Sequence, residues 1–396
     1  MTEKELFFRY LGLPSFQPSG LQIKRAEGIY LYDFTGKEFI DLVSGVSVSN
    51  IGHCHPEVVK AIHKQLRKYL YLNVYGEFIQ SPQVKLAEQL IRFLPDNLDA
   101  IYFVNSGSEA IEGAMKLAKR CTGRREIVAF KKAYHGSTQG ALSILGNESL
   151  KNAFRPLIPD IKHLEFNNSD ELEEITVKTA CVITESIQAE AGVILPEKEF
   201  LSKLRKKCNE TGTLLIIDDI QMGFGRTGKL FSFGHYGFVP DILVLAKAMG
   251  GGMPIGAFIT SREYMNTLAF NPELGHITTF GGHPVSCAAA LASLKVLTQG
   301  DLIAQADDKG SRIADRIKDH GLVRKIRRKG LMIGVEICHE RIRKQFTQAC
   351  LDEGLIIDWF LFNPSTFRIA PPLTITDYEI ELAVRKLIAA MDSLNQ

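Results

Sequence analysis

The stretch Pro240–Ala257 is PDILVLAKAMGGGMPIGA, and its punctuation decides the fold. An apolar run leads straight into one cation, Lys247, and Gly250-Gly251-Gly252 and Pro254 follow close behind. A short apolar run bounded by Gly and Pro is the pattern of a strand buried on both faces, the kind found in parallel sheets. A lysine that closes such a strand usually snorkels to water. If burial and nearby cations remove its proton instead, it becomes a nucleophilic amine able to form a Schiff base. The glycines beyond it would let the backbone pass close to a flat ligand with no Cβ in the way.

Outward from Asp241–Lys247, further strands are expected at Ile101–Asn105, Glu126–Phe130, Cys181–Glu185 and Leu214–Asp218. Helical patterns separate them. In Pro56–Leu70, Val59, Ile62, Leu66 and Leu70 form one apolar stripe. In Ser81–Leu94, Ser81 is placed to cap, Pro82 to start the helix, and Ala87, Leu90, Ile91 and Leu94 to face inward. Strands alternating with helices predict an α/β fold with a mostly parallel central sheet. The flanks differ: GIYLYDFTGKEFIDL at 28–42 alternates like a hairpin around Thr35-Gly36, and the chain after His283-Pro284 has an α+β character ending in the helix Thr376–Leu394. We expect a large domain over 49–282 and a smaller one built from 1–48 and 283–396.

Ligands of open α/β sheets sit beyond the carboxyl ends of the strands. The residues that follow each expected strand are therefore informative. They are Ser106-Gly107-Ser108-Glu109-Ala110, then Tyr134-His135-Gly136-Ser137, then Glu185 with Glu190 a little further on, then Asp218-Asp219-Ile220-Gln221, and finally Lys247. Ser-Gly-Ser at a helix start offers free backbone N–H groups to a phosphate, though it is equally an ordinary cap. Tyr134 could stack on an aromatic ligand or simply half-bury itself in a loop. Asp218 is suited to hold a pyridinium N–H as an ion pair. Lysine, pyridinium-holding carboxylate, ring-stacking aromatic and phosphate cup together are what pyridoxal phosphate requires.

Two other motifs carry less. His53-Cys54-His55 resembles metal ligands, but neighbouring residues cannot all reach one tetrahedral ion and no second cluster accompanies them. Gly223–Gly228, GFGRTG, has the spacing of a dinucleotide fingerprint, yet KLFSFGHYG after it is not helical. A loop is expected there, with Arg226 free for a loop or intersubunit contact.

Composition sets the frame. A chain of 396 residues exceeds one simple core, and 45% hydrophobic with 23% charged residues suits a globular protein. A net charge of +2 gives no general argument for nucleic acid or anionic membrane. The dense basic run RKIRRK, Arg324–Lys329, is expected to be a solvated face near a strand start. The 7 cysteines are scattered and odd in number, which fits reduced thiols in a cytoplasmic protein. MTEKELFFRYLG lacks the apolar centre of a signal peptide, and no apolar segment approaches the ~18 residues of a membrane span.

The motifs together resemble the class III, ω-amino-type, pyridoxal-phosphate aminotransferases of fold type I. The likeness runs through FVNSGSEAIEGAMKLA, AYHGST, ESIQAEAGVILP, LLIIDDIQMGFGRTG, LAKAMGGGMPIGA, TTFGGHPVSCAAALA and FRIAPPLTIT. It implies that Lys247 is the Schiff-base lysine and proton shuttle, and that Asp218 keeps the ring nitrogen protonated. Gln221 would lie near the ring hydroxyl, with Tyr134 and Ile220 on the two ring faces and His135 and Glu185 beside the cofactor. Ser106, Gly107 and Ser108 would hold the phosphate, and Thr279 would reach the phosphate of a neighbouring subunit, making a homodimer the minimum unit. Arg368 would bind a substrate carboxylate, with Glu190 as its alternating partner.

Two positions depart from the pattern. Ser137 stands where ornithine-, acetylornithine- and γ-aminobutyrate-type members carry arginine, and Val46 where ornithine aminotransferases carry tyrosine. The resemblance therefore implies ping-pong transfer from a terminal amine to a 2-oxo acid, acetylornithine/ornithine-like by FRIAPPL but nearer amine or β-alanine:pyruvate transaminases by YHGST. An aminomutase shares the same residues, and a nucleotide-binding dehydrogenase is the alternative that GFGRTG would suggest.

Overall fold

In the computed structural model, which describes residues 1–394, the chain opens with a helix, Glu3–Tyr10, and then an antiparallel sheet. Its strands are β1 (Ile23–Glu27), β2 (Tyr30–Asp33) and β3 (Glu38–Asp41). The hairpin expected around Thr35-Gly36 is present: Asp33 Oδ1 accepts from the backbone N–H of Thr35 at 2.8 Å and of Lys37 at 2.9 Å, tying the turn shut.

The central sheet holds β4 (Ala100–Val104), β5 (Glu126–Phe130), β6 (Ile161–Leu164), β7 (Thr179–Glu185), β8 (Leu214–Asp218), β9 (Ile242–Leu245) and β10 (Gly256–Thr260) in the order β4-β10-β9-β8-β7-β5-β6. Only β10 runs against its neighbours, so the sheet is mostly parallel, as expected. Residues of β7 and β8 are buried throughout, and their alternation divides the core into two layers. Ile183, Ile216 and Val244 face the helix Gly107–Thr122, while Val182, Ile217 and Leu243 face the opposite layer. Two strands escaped the sequence reading. β6 is short and polar, and β10 follows the glycine turn so closely that its start is masked.

Near the C-terminus come β11 (Val323–Lys329), β12 (Met332–Ile337), β13 (Leu355–Ile356), β14 (Asp358–Phe360) and β15 (Asn363–Ile369). The order β11-β12-β15-β14 makes a separate antiparallel sheet, whereas β13 pairs parallel with β3, Leu355 opposite Ile40. The first and last parts of the chain thus share a sheet.

Three local expectations are corrected. The basic run lies within β11, an edge strand, where Arg327 pairs with Glu336 at 2.8 Å and Arg328 with Asp307 at 2.7 Å; charge on an edge discourages pairing with another chain. The first predicted helix stops at Leu66, and its Val59–Leu66–Leu70 stripe is exposed. Its inner face instead carries Val58 and Gln65, whose amide donates to the Tyr69 carbonyl at 3.0 Å. A polar residue that satisfies itself in this way hides the true inner face from an apolar-periodicity reading. The second, Ser81–Ile91, has Gln80 rather than Ser81 at its N-cap, and its deepest residues are Leu86 and Leu90. Among the described residues no helix is long and apolar enough to cross a membrane.

Candidate active site

The carboxyl ends of β5, β7, β8 and β9 open on one side of the central sheet, and there they surround a cavity of about 460 Å³. Lys247 sits at the end of β9 with φ 49, in the left-handed region that a side-chain-bearing residue enters only when its surroundings force it. Its amine is pushed down from 10.5 to about 8, chiefly by burial, with Glu190 opposing that and Arg368 adding to it. The strained backbone aims the side chain into the cavity rather than out to bulk water, so the ordinary snorkelling outcome does not apply.

Asp218 ends β8 and lines the same cavity. Its Oδ2 lies 2.7 Å from His135 Nδ1, and its Oδ1 accepts from the Ile220 backbone N–H at 3.0 Å. Asp219 points the other way, as strand alternation requires, and accepts from the Ser232 backbone at 2.8 Å. Burial raises Asp219 to about 7, opposed by the Ser232 hydrogen bonds. Only the first aspartate of the pair is therefore available to a ligand.

Glu185, at the end of β7, is held well above the usual carboxylate range by burial and then by Asp218. Its Oε1 accepts from the Ala189 N–H at 3.2 Å, but Oε2 has no partner. Gln221 donates to Glu190 Oε1 at 3.1 Å while its own Oε1 is unpartnered, as is His135 Nε2. Buried polar atoms without partners are costly unless a ligand completes them.

The floor of the cavity is the start of the helix Gly107–Thr122. Ser106 caps it by accepting from the Glu109 N–H at 3.2 Å, which leaves the N–H groups of Gly107 and Ser108 directed at the cavity. A Cβ on Gly107 would come within 2.7 Å of Ile220 Cδ1, and one on Gly136 (φ 130) within 2.1 Å of Ser108 Oγ. Both glycines are required by close approach around this cup. Tyr134 and Ile220 also line the cavity, and Tyr134 Oη is 3.1 Å from Ser137 Oγ.

Beyond Gln221, Glu190 forms an ion pair with Arg368, whose Nη1 donates to Asp358 at 2.8 Å. All but 1% of the surface of Arg368 is covered, so this cation must be balanced on the spot. Sequence reading placed Glu190 and Arg368 together but missed Asp358, which meets Arg368 only through the β14–β15 register. Val48 was missed too: it lines the cavity, whereas Val46 does not. Both lie in or beside a turn in which Ser44, Gly45, Val46 and Ser47 all have positive φ, from 54 to 62. Asp41 secures this turn by accepting from the N–H groups of Val43 at 2.8 Å and Ser44 at 2.9 Å. Thr279 is exposed and is not among the residues that line this chain's own cavity.

The remaining motifs are structural. His53 bonds Asp41 at 2.8 Å and His55 caps the helix Pro56–Leu66, each a satisfied polar contact. The GFGRTG segment forms successive turns, not a helix start, and Arg226 is buried against the carbonyls of Leu331 and Pro371 and the Asn50 side chain.

Size, phosphate-accepting helix start, unpartnered Glu185 and Gln221 oxygens and depressed lysine make this donor set fit pyridoxal phosphate. The comparisons agree. The Archaeoglobus fulgidus acetylornithine aminotransferase is 37% identical over 95% of this chain and 97% of its own length. Among solved structures, the Toxoplasma gondii ornithine aminotransferase superposes with a TM-score of 0.92 at 27% identity, covering 100% of this chain and 96% of that one. An (S)-enantioselective omega-transaminase from Thermomicrobium roseum gives 0.91 at 28%, covering 100% and 99%. The family described as "Aminotransferase class-III" matches residues 14–391, and the chain belongs to it.

Proposed function

We propose that this pyridoxal-phosphate aminotransferase takes its amino group from a terminal amine of a small amino acid of the acetylornithine or ornithine kind and delivers it to a 2-oxo acid in two alternating half-reactions. The observation that carries the site assignment is Lys247, held at a strained strand end and sharing one cavity with Asp218. When bound, the cofactor supplies an electron sink and a carrier for the amino group.

The chain's own residues do the rest. Lys247 Nζ, whose proton burial loosens so that it titrates at about 8, would hold the cofactor and then move a proton to and from the substrate carbon. Asp218, braced by His135, holds a proton on the ring nitrogen. Ser106, Gly107 and Ser108 would take the phosphate, Tyr134 and Ile220 would flank the ring, and Gln221 and Glu185 would offer it their unpartnered oxygens. Arg368 receives the 2-oxo acid's carboxylate once Glu190 turns aside, and pairs with Glu190 when the donor presents only an amine.

The working unit in this reading is a homodimer. Leu70, Leu72, Phe78 and Ile79 are exposed, as are Leu274, Ile277 and Phe280, and the two segments meet where Tyr71 and Phe280 lie 5.1 Å apart. Apolar surface of this extent favours a second copy over water, and Thr279 in the same patch would then reach the neighbouring phosphate. We keep 49–282 and the two flanking segments as its large and small domains.

Ser137 supports a second reading, an amine or β-alanine:pyruvate transaminase, because it stands beside Tyr134 and none of the described residues lining the cavity is an arginine that could hold a distal carboxylate. Measuring half-reactions of the holoenzyme with N-acetylornithine, ornithine, γ-aminobutyrate, β-alanine and 1,4-diaminobutane decides between them. Fastest turnover of acetylornithine or ornithine supports the first reading, and fastest turnover of β-alanine or the diamine replaces it.

A further inference from the structure

Arg368 has two carboxylates where one would balance it. On β15 it stands directly opposite Asp358 of β14 in antiparallel register, and its Nη1 donates to Asp358 Oδ2 at 2.8 Å while Nη2 pairs with Glu190. Its Nε is buried and unpartnered, and the Phe360 ring lies 4.4 Å from the guanidinium carbon. In a planar guanidinium, Nε–H and an Nη2 hydrogen lie along a common edge. That edge faces away from Asp358, and Glu190 uses half of it. A planar carboxylate that replaced Glu190 could take both donors.

The two carboxylates are anchored differently. Glu190 also accepts from Gln221 Nε2 at 3.1 Å and from the Leu361 N–H at 3.1 Å, contacts that can be exchanged for water or substrate. Asp358 is placed beside Arg368 by the cross-strand pairing of its backbone, and its Oδ1 accepts from the Trp359 N–H at 2.7 Å. When Glu190 moves, the remaining charge on Arg368 is therefore already compensated. Without Asp358 the site would hold a nearly bare buried cation, which would seize any carboxylate offered.

We propose that Asp358 is a specificity-determining positioning residue that acts through Arg368. By gripping Nη1 it turns the Nε/Nη2 edge toward the substrate, and by its charge it weakens the capture of the acceptor's carboxylate. The inference rests on reading Arg368 as the carboxylate site.

The test compares Asp358→Asn, Asp358→Ala and Arg368→Gln in the holoenzyme, with pyruvate and 2-oxoglutarate as acceptors and N-acetylornithine as donor. Asn keeps an oxygen for Nη1 but removes the charge. It is expected to lower the acceptor KM by about fivefold, with kcat and donor KM within about twofold. Ala removes the grip as well, and its acceptor KM should exceed that of Asn. An acceptor KM unchanged or raised in Asp358→Asn, or donor and acceptor KM moving together, overturns the proposal. Arg368→Gln separates the two levels of inference. If it leaves the acceptor KM unchanged, the carboxylate-site reading fails and this proposal with it. If it raises that KM by about tenfold or more while Asp358→Asn lowers nothing, only the role of Asp358 falls.

Discussion

Replacing Lys247 by methionine in the cofactor-free protein should stabilise it, by an amount that depends on pH in a specified direction. The amine titrates at about 8 in the fold against 10.5 for the ordinary side chain. The unfolded chain therefore binds more protons between those values, and the cost of burying the ammonium is fully present below pH 8 and fades as pH rises toward 10.5. The difference corresponds to about 3 kcal/mol at pH 7 and about 1 kcal/mol at pH 10. These are upper figures, because the amine opens on to the cavity, where water offsets part of the cost. The packing gain of methionine is the same at both pH values, so the diagnostic quantity is the shrinkage of the gap. Urea denaturation of both proteins at pH 7 and pH 10 measures it. A mutant no more stable than the parent at pH 7, or a gap that does not narrow at pH 10, would show that the amine is solvated and refute the argument that burial lowers its pKa.

Asp218→Asn should leave the fold and cofactor binding in place yet slow both half-reactions by about a hundredfold or more, read by single-turnover absorbance, because the ring nitrogen loses its counter-charge. Gly113→Ala should destabilise the protein by about 1–3 kcal/mol in urea titration, since the new Cβ would lie 2.3 Å from the Phe258 ring, while the spectrum of the bound cofactor stays the same. Ser137→Arg should lower the KM of N-acetylornithine by about tenfold and leave that of 1,4-diaminobutane unchanged; equal effects on both would mean that no distal carboxylate binds at this rim.

The parts legible in the sequence were those written in local chemistry. β5 and β8 were placed residue for residue because each is a short apolar run with a sharp polar limit, Glu126 and Lys131 around β5 and Asp218 at the end of β8. Lys247, Asp218, Glu185 and the Ser106–Ser108 turn converge because strand ends of a parallel sheet share one edge, so their order along the chain sufficed. What stayed hidden depends on pairing between distant segments. Asp358 gains meaning only from its register against Arg368. Val48 reaches the cavity only because a turn of left-handed residues, held by Asp41, rotates it inward, and no periodicity announces such a turn. The helix Pro56–Leu66 was turned the wrong way because its inner face contains a glutamine and its apolar stripe faces outward.

The parallel pairing of β3 with β13 also shapes how the molecule is made. Ile40 leaves the ribosome long before Leu355 is synthesised, so the first sheet waits with an open edge until β13 has emerged. The central sheet can close in the meantime from segments between Ala100 and Thr260. Biosynthesis thus builds the cofactor cradle first and completes last the sheet carrying Asp41 and the separate sheet carrying Arg368. Late translational truncations would leave a cradle without its substrate-recognising half and with an unpaired strand exposed to aggregation.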